Sequence, residues 1–205
     1  MRVSRLRFLR VAGVVLGAAV LVGWQFDILL LKTGLPGEAA TTKANTAVCL
    51  LLSGVCLWQV QAERQAKRRR SQGDRLRSVH LLQPLFSVLY VLYSSAIVGI
   101  GLLTLLQYWL GWDLGIDQLL FQDQSDSTAT SHPGRMGFNT ALNFIFIGSS
   151  LFLIRSHDKQ KVWLAQLLAA IAGLVAAQAM VGYAYDVRAF YQLSTLQHQW
   201  QFIRH

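Results

Sequence analysis

The fold of this chain is decided by residues 133–154, which read PGRMGFNTALNFIFIGSSLFLI. The stretch begins with a Pro-Gly turn and one arginine, passes through Asn139-Thr140-Ala141, and then becomes almost entirely apolar. An α-helix needs about 20 apolar residues to cross the hydrocarbon core of a bilayer, and this run approaches that length. The stretch therefore predicts a loop at one membrane surface that leads directly into a transmembrane helix.

The composition extends this prediction to the whole chain. Hydrophobic residues make up 53% of the 205 residues and charged residues only 14%, which is too apolar for a soluble domain. Because the apolar runs are hydrophobic on nearly every side, they predict membrane spans rather than amphipathic surface helices. We expect an all-α, polytopic integral membrane bundle of about five transmembrane helices. The predicted helices are Val11–Leu31, Asn45–Val60, Val79–Leu110, Asn139–Ile154 and Val162–Tyr185, with a short interfacial helix near Ile116–Leu120.

The distribution of positive charge predicts the topology. The net charge is +9, but 14 of the 19 lysines and arginines lie before the first helix, in the 62–78 loop or in the 155–161 loop. These three segments fall on one side of a five-helix arrangement, as the positive-inside rule requires. The sequence therefore predicts a cytoplasmic N-terminus and an outer C-terminal tail. It also argues against nucleic acid as a partner, since the rule explains the charge.

An internal repeat organises the predicted helices. The copies share Asn-Thr-Ala at 45–47 and 139–141, glycine at 54 and 148, and Gly-Trp at 23–24 and 111–112. Each copy contains two helices, so the copies have the same orientation and form a parallel repeat. We expect one membrane domain over 1–205, with repeat units at about 8–61 and 79–155 and a partial third unit at about 162–205.

The motif of the second copy resembles a known family. Pro133-Gly134-Arg135-Met136 and Asn139-Thr140-Ala141-Leu142, after Gly111-Trp112 and Asp117, are similar to the multi-helix membrane region of many bacterial sensor histidine kinases and diguanylate cyclases. The resemblance covers nearly the whole chain. It implies a protein of the bacterial cytoplasmic membrane that passes a signal to PAS, kinase or cyclase domains. The sequence departs from the family after the fifth helix, so we expect a shortened relative or a stand-alone protein.

Polar residues near the predicted outer surface are the candidate ligand-binding residues. They are Asn45, Asn139, Asn143, Arg135, Asp27 and Asp117. Polar side chains in a bilayer need partners inside the bundle, so these residues fit a shared pocket or an ionic network around the arginine. The alternative is structural: the asparagines cap or join helices, and the aspartates end helices at the water boundary.

Other residues have predicted roles in packing or lipid contact. Small residues that let helices approach closely are Gly13, Gly17, Gly54 and Gly148. Arg68, Arg69 and Arg70 belong to the basic 64–77 run and are predicted to contact anionic lipid headgroups. Cys49 and Cys56 lie two turns apart on one helix, which indicates packing residues rather than a disulfide or a metal pair.

The predicted spans lack the residues that most membrane chemistry requires. No lysine, histidine, glutamate or arginine lies near the middle of a span, which argues against a Schiff base, a bis-histidine haem or a proton relay. No zinc motif, P-loop or catalytic triad is recognisable. We therefore expect a non-enzymatic protein without a metal or cofactor of its own, although bound lipid or a partner's pigment is compatible with it. Three functions remain: a sensor module, an accessory subunit of a larger membrane complex, and a small transporter.

Overall fold

The protein is described by a computed structural model for residues 2–33, 41–71, 83–122 and 133–185. Within these ranges the regular structure is entirely helical. The helices are α1 (Arg2–Gln25), α2 (Leu29–Thr33), α3 (Ala44–Ser71), α4 (Gln83–Leu110), a 3-10 helix (Ile116–Gln118), α5 (Phe138–Ile154) and α6 (Lys159–Ala184). The part of the predicted third repeat unit after residue 185 lies outside the described residues, as do the loops at 34–40, 72–82 and 123–132.

Three helices are long and apolar enough to cross a membrane. These segments are Ala44–Arg68, Gln83–Leu110 and Lys159–Gly182. Val11–Gln25 and Phe138–Ile154 are apolar but shorter. The prediction of a helical membrane protein is therefore supported, at the level of three candidate spans.

The helices pack mainly in chain order. Helix α1 lies against α3, α3 against α4, α4 against α5, and α5 against α6. The core is formed where α3, α4 and α5 meet, and includes Cys49, Cys56, Ile97 and Phe144. Both cysteines are buried and free, as packing residues are expected to be.

Glycines set the closest helix crossings. A Cβ atom added to Gly17 of α1 would lie 2.7 Å from the Ala47 carbonyl oxygen of α3. A Cβ atom added to Gly101 of α4 would lie 2.8 Å from the Ala141 carbonyl oxygen of α5. Any larger residue would therefore force the backbones apart. Ala47 and Ala141 are equivalent positions of the Asn-Thr-Ala motif, so each helix pair has its close crossing at the alanine of this motif.

The same correspondence extends to one end of each pair. Trp24 Nε1 donates to the Thr42 carbonyl oxygen at 2.8 Å, and the Tyr108 hydroxyl donates to the Met136 carbonyl oxygen at 3.1 Å. These contacts make Trp24 the counterpart of Tyr108. Sequence matching had aligned it with Trp112, one helical turn later.

Three helix boundaries differ from those predicted, and the first is the start of α1, at Arg2 rather than at Val11. Helix α1 ends at Gln25 rather than at Leu31, because Asp27 adopts a positive φ of 55° and the chain turns before α2. Helix α3 continues to Ser71 rather than ending near Val60. Its last turns lack large apolar residues but consist mainly of alanine, glutamine, glutamate, lysine and arginine, which favour helix.

The remaining helices begin and end close to the predicted positions. Helix α5 begins one residue before the predicted Asn139 and ends at Ile154. Pro84 is the second residue of α4, where a missing N–H is tolerated. At the predicted interfacial helix the chain forms one 3-10 turn, and Leu119 and Leu120 beside it are exposed.

Candidate functional site

The loop before α5 is shaped to turn an arginine inward. Gly134 has a φ of 75°, and a Cβ atom there would lie 2.7 Å from the Asp117 carbonyl oxygen. Only glycine fits both the backbone angle and this close approach. The loop therefore packs tightly on the 3-10 turn, and the next residue, Arg135, points into the bundle.

Arg135 is the largest fully buried side chain among the described residues. Its Nε donates to Asp117 Oδ2 at 2.8 Å, and the two side chains are only 1% and 3% exposed. Its Nη2 donates to the Trp112 carbonyl oxygen at 3.3 Å and lies 3.8 Å from Asp113 Oδ1. The guanidinium carbon is 5.5 Å from the centre of the Tyr108 ring. We call Arg135, Asp117, Gln107, Tyr108 and Asn45 the Arg135 cluster.

Gln107 supplies the second donor to the buried carboxylate. Its Nε2 donates to Asp117 Oδ2 at 2.6 Å, while its Oε1 accepts from the Leu114 amide at 3.1 Å. The other carboxylate oxygen, Asp117 Oδ1, is buried and has no hydrogen-bond partner among the described residues. The cluster thus holds an ion pair with one acceptor still open to a donor group.

The first helix pair also contributes to this end. Asn45, at the start of α3, donates from Nδ2 to the Ile116 carbonyl oxygen at 3.1 Å. The rings of Trp24 and Phe121 lie 6.0 Å apart, centre to centre. These contacts join the loops of the two helix pairs.

The other predicted residues lie at varying distances from this cluster. Asn139 is buried in the first turn of α5. Asn143 lies one turn later, and its Oδ1 has no hydrogen-bond partner within the described part of the chain. Asp27 stands apart: its side chain is 93% exposed and pairs with Lys32, which covers the Trp24 ring. The structure thus brings Asp117, Arg135 and Asn45 together but leaves Asp27 out.

A second arginine cluster, at the opposite end of α5, was not predicted. Arg155 Nη2 donates to Glu63 Oε1 at 2.7 Å and to the Ser87 hydroxyl at 2.9 Å. Its guanidinium carbon also lies 4.6 Å from the centre of the Tyr90 ring. We call these four residues the Arg155 cluster. The sequence signal was Glu63, a single acidic residue at the edge of a long basic run.

The predicted packing glycines lie at helix contacts. A Cβ atom on Gly13 would lie 3.4 Å from the Gly54 Cα, and one on Gly148 would lie 2.7 Å from Val98 Cγ2. Arg68 is exposed near the end of α3, whereas the side chains of Arg69 and Arg70 lie outside the described part.

Comparison with known proteins gave no relative. No family model, curated protein or solved structure matches the chain. Within the described residues, no group of three or more His, Cys, Asp or Glu side chains is placed to hold a metal ion.

Proposed function

We propose that this protein is a non-catalytic sensor module of the bacterial cytoplasmic membrane, which passes a signal from the Arg135 cluster to a signalling protein. The observation that carries this proposal is the buried Arg135–Asp117 pair at one end of the bundle. Asn45 of α3 bonds to the turn that carries Asp117, so this end includes both helix pairs, and α3, α4 and α5 lead from it to the Arg155 cluster at the other end. A change at one cluster therefore acts on the helices that form the other.

Helix lengths support a membrane-spanning arrangement. Eighteen positions of α3 separate Asn45 from Glu63, which is about 27 Å at 1.5 Å per residue. The 17 residues of α5 cover about 25 Å between the two arginine clusters. The hydrocarbon core is about 30 Å thick, so both clusters fit at its boundaries. On this basis α1 and α5 also cross the membrane, giving five spans with a cytoplasmic N-terminus.

The parallel repeat is part of the same proposal. Its support is the matched crossing of Gly17 on Ala47 and Gly101 on Ala141, together with the matched hydrogen bonds of Trp24 and Tyr108. The motif over 133–142 favours the sensor families named above. In the proposed sensor, Asp117 Oδ1 is the acceptor for a small ligand that carries an N–H, an O–H or a positive charge.

Purification from native membranes in mild detergent tests the function. A bound protein with a kinase or cyclase domain supports the proposal, provided that Asp117→Asn changes the activity of that enzyme. Asp27→Asn is the matched control, because it removes an exposed carboxylate near the same end, and it should leave that activity unchanged. A large complex without any signalling enzyme would contradict the sensor function, and so would a protein isolated without a partner.

An accessory subunit is the second candidate, and the free face of α6 favours it. Only 11% of the α6 span is buried, and its exposed side includes Gln166, Ala170, Gly173 and Ala177. Small residues let another helix approach closely, and a glutamine in a span gains from a hydrogen-bonding neighbour. This function predicts a defined complex at fixed stoichiometry.

A small transporter is the least favoured of the three functions. Transport requires a polar path through the middle of the bundle. Two buried hydroxyls of the described bundle, those of Ser53 and Ser94, donate to the carbonyls of Cys49 and Tyr90 in their own helices. They are therefore engaged with backbone rather than directed into a shared path.

A further inference from the structure

The last turns of α3 extend beyond the Arg155 cluster as a basic helix. Glu63 is the only acidic residue of α3, and five basic residues follow it within seven positions. They are Arg64, Lys67, Arg68, Arg69 and Arg70. Arg64 and Lys67 are exposed. The sequence alone suggested a loop here, whereas the structure continues the helix through these residues.

Glu63 does not neutralise this helix end, because it is already engaged. Its Oε1 accepts from Arg155 at 2.7 Å, and Arg155 belongs to the end of α5. The charge of the α3 extension is therefore positive throughout. Such a concentration of positive charge attracts anionic groups at low ionic strength.

Helix α1 brings more positive charge to the same end. The contacts of Gly13 with Gly54 and of Gly17 with Ala47 show that α1 and α3 run in opposite directions. The first residues of α1 therefore lie at the end of the bundle toward which α3 runs. Four arginines occur in this part of α1, at positions 2, 5, 7 and 10.

The height of these charges matches that of lipid phosphates. If Glu63 marks the edge of the hydrocarbon core, the backbone of Arg64, Lys67 and Arg68 lies about 1.5 to 7.5 Å beyond it. The headgroup region is about 5–7 Å thick on each side of a bilayer. Trp58 and Trp163 are exposed near the same end, and tryptophan is typical of the membrane interface. A lipid surface fits this placement better than an acidic protein, which would meet charges farther from the interface.

We infer that the α3 extension, with Arg64 and Lys67 at its base, is a binding site for the anionic headgroups of the adjacent leaflet. The phosphates of acidic phospholipids are the ligands. This inference rests on the membrane-spanning arrangement proposed above but is independent of the sensor function.

Lipid binding by the purified full-length protein tests the inference. The delipidated protein in neutral detergent is titrated with phosphatidylglycerol and, separately, with phosphatidylcholine of the same acyl chains, and bound lipid is counted by native mass spectrometry. We expect tighter binding of phosphatidylglycerol, weakening as salt increases. The double variant Arg64→Gln/Lys67→Gln should lower that affinity roughly thirtyfold, since each charge near the surface contributes about fivefold.

Two further variants control for charge and folding. Lys159→Gln/Lys161→Gln removes the same charge from the start of α6, and we expect it to change the affinity much less. Arg64→Lys/Lys67→Arg retains the charge and should bind as the unaltered protein does.

Three results would overturn the inference. The first is equal affinity for the two lipids, and the second is an equal loss in both glutamine double variants. The third is binding of polyglutamate through Arg64 and Lys67 without a preference for phosphatidylglycerol, which would assign the surface to an acidic protein. Because the assay measures lipid alone, loss of the sensor function leaves its result unaffected.

Discussion

Arg135 and Asp117 show how one buried ion pair can depend on its surroundings. Removing two charges from water costs several kcal/mol per ion, and this cost is offset only if both partners are well bonded. Gln107 and the Trp112 carbonyl provide the additional bonds. The pair therefore contributes a fixed arrangement of the loops more than a large net stability.

Breaking this pair should be costly. Arg135→Met leaves the Asp117 carboxylate buried without its cation, and we expect a loss of about 3–5 kcal/mol in the free energy of unfolding. Denaturant titration in detergent, followed by helical circular dichroism, measures it. The double variant Arg135→Met/Asp117→Leu should recover most of the loss, because no buried charge remains.

The matched control is the exposed pair of Asp27 and Lys32. Asp27 is 93% exposed, so Asp27→Asn should leave the unfolding free energy almost unchanged. Equal losses in Arg135→Met and Asp27→Asn would refute the buried network.

Residue type and position alone predicted part of this site. Arg135 and Asp117 were identified because charged residues near a membrane span need partners, and a network between them was one of the alternatives. Gln107 was missed because it lies in an apolar helix without any motif. Asp27 was included because it follows a tryptophan, as Asp117 does. Its backbone turn and Lys32, however, keep its side chain in the open.

At the scale of helices, the two pairs are held together by glycine at one contact in each. Gly101 packs against the α5 backbone, with Ile145 Cγ1 2.9 Å from its added Cβ position. Close backbone approach maximises van der Waals contact, which is the main attraction between helices in lipid. The crossing of α4 and α5 should therefore be sensitive to a single methyl group.

Gly101→Ala tests this sensitivity against a neighbour in the same helix. The added methyl would lie 2.8 Å from the Ala141 carbonyl oxygen, so the helices must separate, and we expect a loss of about 1–3 kcal/mol. Gly99→Ala is the matched control, since nothing lies within 4 Å of its added Cβ atom. Unfolding titration in detergent should show a lower midpoint for Gly101→Ala only. A similar midpoint for both variants would disprove the close crossing.

The hydrophobic pattern predicted the ends of a helix more accurately where the sequence changes sharply from apolar to polar. The limits of α5 were predicted to within one residue, because a turn precedes it and polar residues follow it. The end of α3 was predicted eleven residues too early. An apolar run ends where the membrane ends, but a helix continues as long as its residues favour helix.

At the scale of the whole molecule, most of the apolar surface is directed outward. Large hydrophobic residues are exposed along α1, α4 and α6, while the main buried cluster of the described residues lies where α3, α4 and α5 meet. Exposing so large an apolar surface to water is unfavourable, whereas contact with lipid tails or partner helices is not. The proposed arrangement places α5 across the membrane between the two arginine clusters.

Sided labelling of two variants, each with one introduced cysteine, tests this arrangement most directly. Gln122 and His157 are both exposed, and α5 is the helix in the described part of the chain between them. Cys49 and Cys56 are buried, so the native cysteines should contribute little background. A membrane-impermeant maleimide should label Gln122→Cys in intact cells and label His157→Cys only in inverted vesicles. Labelling of both variants from the same side would show that α5 does not cross the membrane and would contradict the proposed architecture.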